Sequence, residues 1–179
     1  MIGIQRITTG DSQYYDYMEK LLTTSFPVEE YRDLNELRAY TDTHPSFYCN
    51  IILDDSTPVG LVTYWDLGKF YYIEHFAIDP NQRNGGYGRK LLDYLANLLE
   101  KPIVLEVEHP TEEMAQRRIN FYQRQGYTLW NKEYFQPPYK AGFNELPMYL
   151  MVHGNLNPDT DFEMIKTQLH RVVYNIKSC

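Results

Sequence analysis

The chain has 179 residues, 43% of them apolar and 23% charged, which is ordinary composition for one globular domain and excludes a disordered tail-like protein. Its net charge of −7 excludes the basic stripe that general nucleic-acid binding needs, and fits a cationic partner such as an amine. No apolar run approaches the roughly 20 residues of a bilayer-spanning helix, residues 1–10 carry no signal-peptide pattern, and two distant thiols, Cys49 and Cys179, suggest neither a disulfide framework nor a zinc site. The expectation is a reducing cytoplasm, with no membrane partner.

In chain order, residues 2–7 alternate apolar and polar as a first strand. Gly10, Asp11 and Ser12 offer a helix cap, and a helix follows to about Thr24, with Tyr14, Tyr17, Met18, Leu21 and Leu22 on one face. Phe26-Pro27 breaks it. A second helix fits 29–41, through Tyr31, Leu34, Leu37 and Arg38. Strands over 46–53 and 59–65 flank the turn 54–58 and read as a hairpin. Residues 70–78 are an aromatic and β-branched strand, stopped by Asp79-Pro80-Asn81.

Arg83-Asn84-Gly85-Gly86-Tyr87-Gly88 comes next, and apolar residues then recur at Tyr87, Leu91, Leu92, Leu95, Leu98 and Leu99 with helical spacing. A strand, a glycine-rich loop and a helix in that order suit a phosphate, because first-turn amides lack partners and glycines let an anion come close. Arg83, Arg89 and Lys90 crowd the positive end of the helix dipole, which a bound polyphosphate would turn from a cost into a gain. The alternative is a tight strand-to-helix turn with solvated basic residues. Leu91 stands where a Rossmann fingerprint needs glycine, and there is no P-loop Gly-Lys-Ser/Thr.

Residues 103–107 form a short strand, parallel to the 70–78 strand because a helix separates the two. A helix from Pro110 or Thr111 carries Met114, Ala115, Ile119, Phe121 and Tyr122 and ends at Gln125-Gly126. Strands over 127–134 and 146–152 flank a proline- and glycine-containing loop, 135–145. Asn157 caps a last helix whose face is Phe162, Ile165, Leu169, Val172 and Ile176. No repeat or linker interrupts the chain, so 1–179 is expected to be one domain with 157–177 as a helical extension, packed on the sheet or on a second copy in a homodimer.

The stretch 83–88 resembles the acetyl-CoA loop, Arg/Gln-x-x-Gly-x-Gly/Ala, of the GNAT acetyltransferase superfamily, and the element order over residues 2–153 is that family's. The resemblance implies an α/β fold with a mixed central sheet, helices on both faces, and acetyl transfer to a primary amine of a small molecule or peptide by direct attack. It implies acetyl-CoA as co-substrate, held by Arg83, Asn84, Gly85, Gly86, Gly88 and Arg89 at the pyrophosphate and by Phe76 and Ile78 along the pantetheine arm. A rival from another class is a CoA-binding sensor that has lost turnover. Phe121-Tyr122-Gln123-Arg124-Gln125-Gly126-Tyr127 is similar to the family's Phe-Tyr-x-x-x-Gly-Phe/Tyr motif, which makes Tyr122 the candidate acid; Ala115 stands where many members carry a CoA-contacting Asn, and Arg117 or Arg118 would replace it. Glu74 is the candidate base, with Glu106 and Glu108 on a shared face of the next strand in reserve. His75 points away from Glu74 and reads as structural. Tyr31, Glu108, Tyr134, Gln136 and Tyr139 are the candidate acceptor-site residues. The remaining histidines show no metal spacing, so no metal is expected.

Overall fold

The computed structural model describes residues 1–177; the Cys179 thiol considered above lies outside them. Seven strands form one mixed sheet in the order β1-β2-β3-β4-β5-β7-β6. The strands are β1 (Ile2–Arg6), β2 (Phe47–Asp54), β3 (Thr57–Asp66), β4 (Tyr71–Ile78), β5 (Ile103–Glu108), β6 (Thr128–Gln136) and β7 (Leu146–His153). The helices are α1 (Ser12–Ser25), α2 (Leu34–Thr43), α3 (Tyr87–Leu98), α4 (Glu113–Arg124) and α5 (Pro158–Gln168). No helix among the described residues is long and apolar enough to cross a membrane.

The chain divides into two compact units. The first is Met1–Asp66 with Ile73–Glu100; the second is Leu67–Tyr72 with Lys101 onward. In the first unit β1 and β2 pair antiparallel, Ile4 opposite Ile52, and β2 and β3 form the expected hairpin, Ile51 opposite Leu61. Its core contains Met18, Leu22, Phe47, Ile51, Leu61, Trp65, Leu91 and Leu95. Cys49 is buried there as a free thiol, and desolvation pushes it up to about 12, which makes it inert.

In the second unit β4 opens parallel to β5, Tyr71 opposite Ile103 and Tyr72 opposite Val104. The separating helix predicts that direction. β5 and β6 both pair antiparallel with β7, so β7 lies between them. α4 packs on β5 and β6 through Ala115 and Ile119.

Two expectations need correction. The second helix begins at Leu34, not near residue 29. Val28–Glu30 is a separate turn of 3-10 helix, Tyr31 is extended, and the Asp33 carboxylate caps α2 by accepting from the Asn35 and Glu36 amides. The last helix keeps Phe162, Ile165 and Leu169 buried, but Val173 replaces Val172 on its inner face, and helical structure ends at Val173, so that Ile176 lies beyond it and is exposed while Tyr174, just past the end, is buried. The reason is a π-helical turn over Leu169–Val173. The wider turn takes in one extra residue and moves the buried stripe on by one position.

β3 and β4 approach each other unusually closely at Gly60, where a Cβ would lie 2.4 Å from the Ala77 carbonyl oxygen and 3.2 Å from the Ile78 Cα. Both are backbone atoms and cannot swing aside. Gly60→Ala should therefore destabilise the protein by about 1–3 kcal/mol, as overpacking does, measured by urea unfolding. A variant as stable as its parent would show that the two strands can separate freely.

Candidate active site

The glycine loop follows a firmly tied strand end. The Asp79 amide donates to the Val59 carbonyl, and the Asp79 carboxylate accepts from the Asn81 amide at 2.9 Å and the Tyr17 hydroxyl at 3.0 Å. The chain then reverses through two left-handed residues, Asn84 at φ 73° and Gly86 at φ 67°. Gly86 is the N-cap of α3 and has no side chain to offer its amides. The first turn of α3 carries no acid, while Leu91, Leu92 and Leu95 bury its opposite face. Arg83 and Lys90 are exposed, and Arg89 is 75% exposed with its nearest carboxylate, Asp93, 3.7 Å away. The Tyr87 hydroxyl donates to Asp54 at 2.9 Å and fixes the helix start on β2. The residues present thus fit a pyrophosphate: uncapped amides, positive-φ backbone and spare cations at one helix end.

Glu74 is not a solitary carboxylate. Its side chain is 1% exposed; one oxygen meets the Arg32 guanidinium and the other accepts from the Trp65 indole N–H at 3.1 Å. Arg32 is itself buried over the rings of Tyr40 and Trp65, at 4.9 and 5.4 Å. A proton-accepting role for Glu74 would require this buried pair to open, which is costly once both charges have left water. Phe76 and Ile78 follow at alternate positions of β4 and are half-buried. Tyr31, next to Arg32, is half-buried in extended backbone.

His75 is buried as the alternation predicts, with Nε2 2.8 Å from the Glu30 carbonyl oxygen and its ring edge-on to Phe26. Burial holds its imidazole below the ordinary value, against the pull of Glu74 and the Glu30 carbonyl.

In the second unit Tyr122 lies on α4, ring-edge to Phe121 and Tyr127. Burial pushes its hydroxyl up to about 12, with Arg118 acting the other way, so it stays a proton donor at neutral pH. Ala115 is buried on the same helix, and Arg117 is paired with Glu113 at 2.5 Å.

Tyr134 and Gln136 come together on one carboxylate, that of Glu106. The Tyr134 hydroxyl donates to Oε1 at 3.0 Å and the Gln136 amide to Oε2 at 2.7 Å. Tyr72 and Tyr174 also donate to Oε1, at 2.9 and 2.7 Å. Tyr139 reaches only the rim of this group, its ring 5.1 Å from that of Tyr174. Glu108, two residues further along β5, is exposed. Burial raises the Glu106 carboxyl and the four donors oppose that rise. The roles of Arg32, Trp65, Tyr72 and Tyr174 were not visible in the sequence. The unusual number of tyrosines was the one signal pointing to the last two.

A glycine loop after a strand that opens an uncapped helix has the geometry of a phosphate site. Residues 13–127 match the model of the acetyltransferase (GNAT) family, and the chain belongs to that family. It is similar to a protein from Bacteroides thetaiotaomicron assigned to the GNAT family, at 59% identity over 98% of this chain and 99% of that one, with a TM-score of 0.96. The ribosomal-protein-S18-alanine N-acetyltransferase of Escherichia coli shares the fold at 18% identity, over 86% of this chain and 93% of that one, TM-score 0.59. So does the Vibrio cholerae spermidine N-acetyltransferase solved with CoA and spermine, at 18% identity over 84% and 94% of the two chains, TM-score 0.59. No curated protein matches the chain.

The His75 environment predicts an acid limit to stability. Its folded value lies below 6.5, so the unfolded chain takes up the proton first; the stabilisation is present above about pH 6.5 and is lost as the pH falls below it. Urea midpoints should fall between pH 7 and pH 5, and fall less in His75→Gln. An equal fall in both proteins would assign the effect to other groups.

Proposed function

We propose that the protein transfers the acetyl group of acetyl-CoA to a primary amine of a small molecule or peptide. The observation that carries this reading is the start of α3, where Gly86 leaves the first-turn amides without a side-chain cap beside Arg83 and Arg89. On this reading 83–89 hold the pyrophosphate, and the Phe76 and Ile78 backbone accompanies the pantetheine arm. Acetyl-CoA supplies an activated thioester. Tyr122 holds the proton that the departing sulfur takes, since burial keeps its hydroxyl protonated. Tyr139, beside Tyr174, lines the acceptor. The GNAT-fold neighbours that act on spermidine and on a ribosomal protein's alanine both modify amines, which supports the acceptor class.

Release of free thiol from acetyl-CoA against a panel of amines, polyamines, amino acids and peptides tests the reaction. At least one amine should support turnover; tight acetyl-CoA binding with no turnover for any would favour a sensor. Acetyl-CoA should raise the melting temperature by mass action. Gly86→Val should abolish that rise, because a β-branched residue at φ 67° is strained and would reshape the loop. Tyr122→Phe should lower kcat by roughly 10²–10⁴-fold with acetyl-CoA affinity nearly unchanged. A Tyr122→Phe enzyme with normal kcat would remove the residue from the chemistry.

A further inference from the structure

Two strand carboxylates of this protein are drawn in among other side chains, and they are compensated differently. Glu74 has the Arg32 guanidinium. Glu106 has only neutral donors: three tyrosine hydroxyls and one amide. Among the described residues no lysine or arginine forms an ion pair with it, and the largest influences on it are burial and those four neutral donors. Hydrogen bonds reduce the cost of burying an ion but leave the charge in place.

The hydrogens of this cluster can be counted. Tyr72, Tyr134 and Tyr174 have one hydroxyl hydrogen each, and all three are within donating distance of Oε1. Gln136 has two amide hydrogens, one for Oε2 at 2.7 Å and one for the Tyr174 oxygen at 3.1 Å. All five have an acceptor when Glu106 is ionised, and the Tyr72 and Tyr174 hydroxyls, 3.1 Å apart, can turn to each other when Glu106 carries a proton. The arrangement therefore holds a carboxylate and can take up its proton. A carboxylate has about four acceptor sites; Oε1 is crowded, whereas Oε2 receives Gln136 alone and has one site left. Glu106 also keeps partial exposure, although Tyr72, Tyr134 and Tyr174 are buried. What Oε2 can still take is a hydrogen-bond donor, and one with a positive charge would offset the cost of burying the carboxylate.

We infer that Glu106 is the catalytic carboxylate for the acceptor, binding its primary ammonium at Oε2 and taking its proton. This rests on the acetyl-transfer reading above. Tyr139 and Tyr174, rings 5.1 Å apart, place aromatic surface beside the carboxylate, which suits a cation. The step balances. Glu106 takes one proton as an ammonium N–H bond breaks, and the freed nitrogen lone pair forms the N–C bond to the thioester carbon. The C–S bond breaks with its electron pair on sulfur. Tyr122 gives its proton to that thiolate and is restored by the second nitrogen proton, while Glu106 returns its own to water.

The test is Glu106→Gln, which keeps the shape and removes the charge. With the best amine of the panel, kcat/KM should fall at least 100-fold and the amine KM should rise at least tenfold, while the acetyl-CoA melting shift stays as in the parent. A kcat/KM within threefold of the parent overturns the inference, as does a loss confined to acetyl-CoA binding. If Glu106→Gln does not fold, Tyr134→Phe decides: it leaves the carboxylate one donor short, and an amine KM changed threefold or more with normal acetyl-CoA binding supports the inference, whereas an unchanged KM overturns it. If the parent acetylates no amine, acetyl transfer to amines fails by itself. Calorimetric titration with propylamine, spermidine and tyramine then judges Glu106 separately: binding in the parent and not in Glu106→Gln supports the ammonium site, and equal binding or none overturns it.

Discussion

The carboxyl group of Glu106 organises the second unit. Carboxylates leave water only when something replaces the solvent, and around Glu106 the replacement is assembled from three separate stretches of chain. Tyr72 comes from the opening of β4, Tyr134 and Gln136 from β6, and Tyr174 from beyond the last helix. Each of these must be in place for the others to be satisfied, so strand pairing and the docking of the C-terminal segment answer to one oxygen pair. The first unit solves the same problem with a cation, Arg32, and leaves Glu74 with no spare appetite for a second one.

The glycine loop follows a different rule. It presents backbone amides, and what presents them is curvature. Asn84 and Gly86 supply the left-handed residues, and Gly86 withholds a capping side chain from α3. The helix is held by its apolar face, so its charged end remains open without loss of rigidity.

These two rules explain what could be read from the sequence. The glycine loop is contiguous and its parts are six neighbouring residues, so the strand-loop-helix order could be read from them alone. The alternating strands and the parallel placement of β4 and β5 are equally local inferences, and the pairing agrees with them. The start of α2 was misplaced because Glu29 and Glu30 look like a first helical turn; they form a separate 3-10 turn, and the cap is Asp33. The Glu106 group was only partly in reach: Glu106, Tyr134 and Gln136 stood out singly, but Tyr72, Tyr174 and the meeting of all five did not. Positions 72, 106, 134, 136 and 174 share no spacing, and each tyrosine taken singly reads as an amphipathic packing residue. The partner of Glu74 was hidden for the same reason, since Arg32 lies 42 positions away.

The π-helical turn makes the C-terminal segment sensitive to count more than to composition. Each helical residue advances the direction of a side chain by about 100°. Exchanging the exposed Arg171 for another residue leaves Tyr174 aimed at its carboxylate, whereas a further residue inserted there would exceed what the wide turn takes in and swing the hydroxyl aside by about that angle. Substitutions at that exposed position and one-residue insertions should therefore have unlike fates among descendants of this gene, the first drifting and the second being purged.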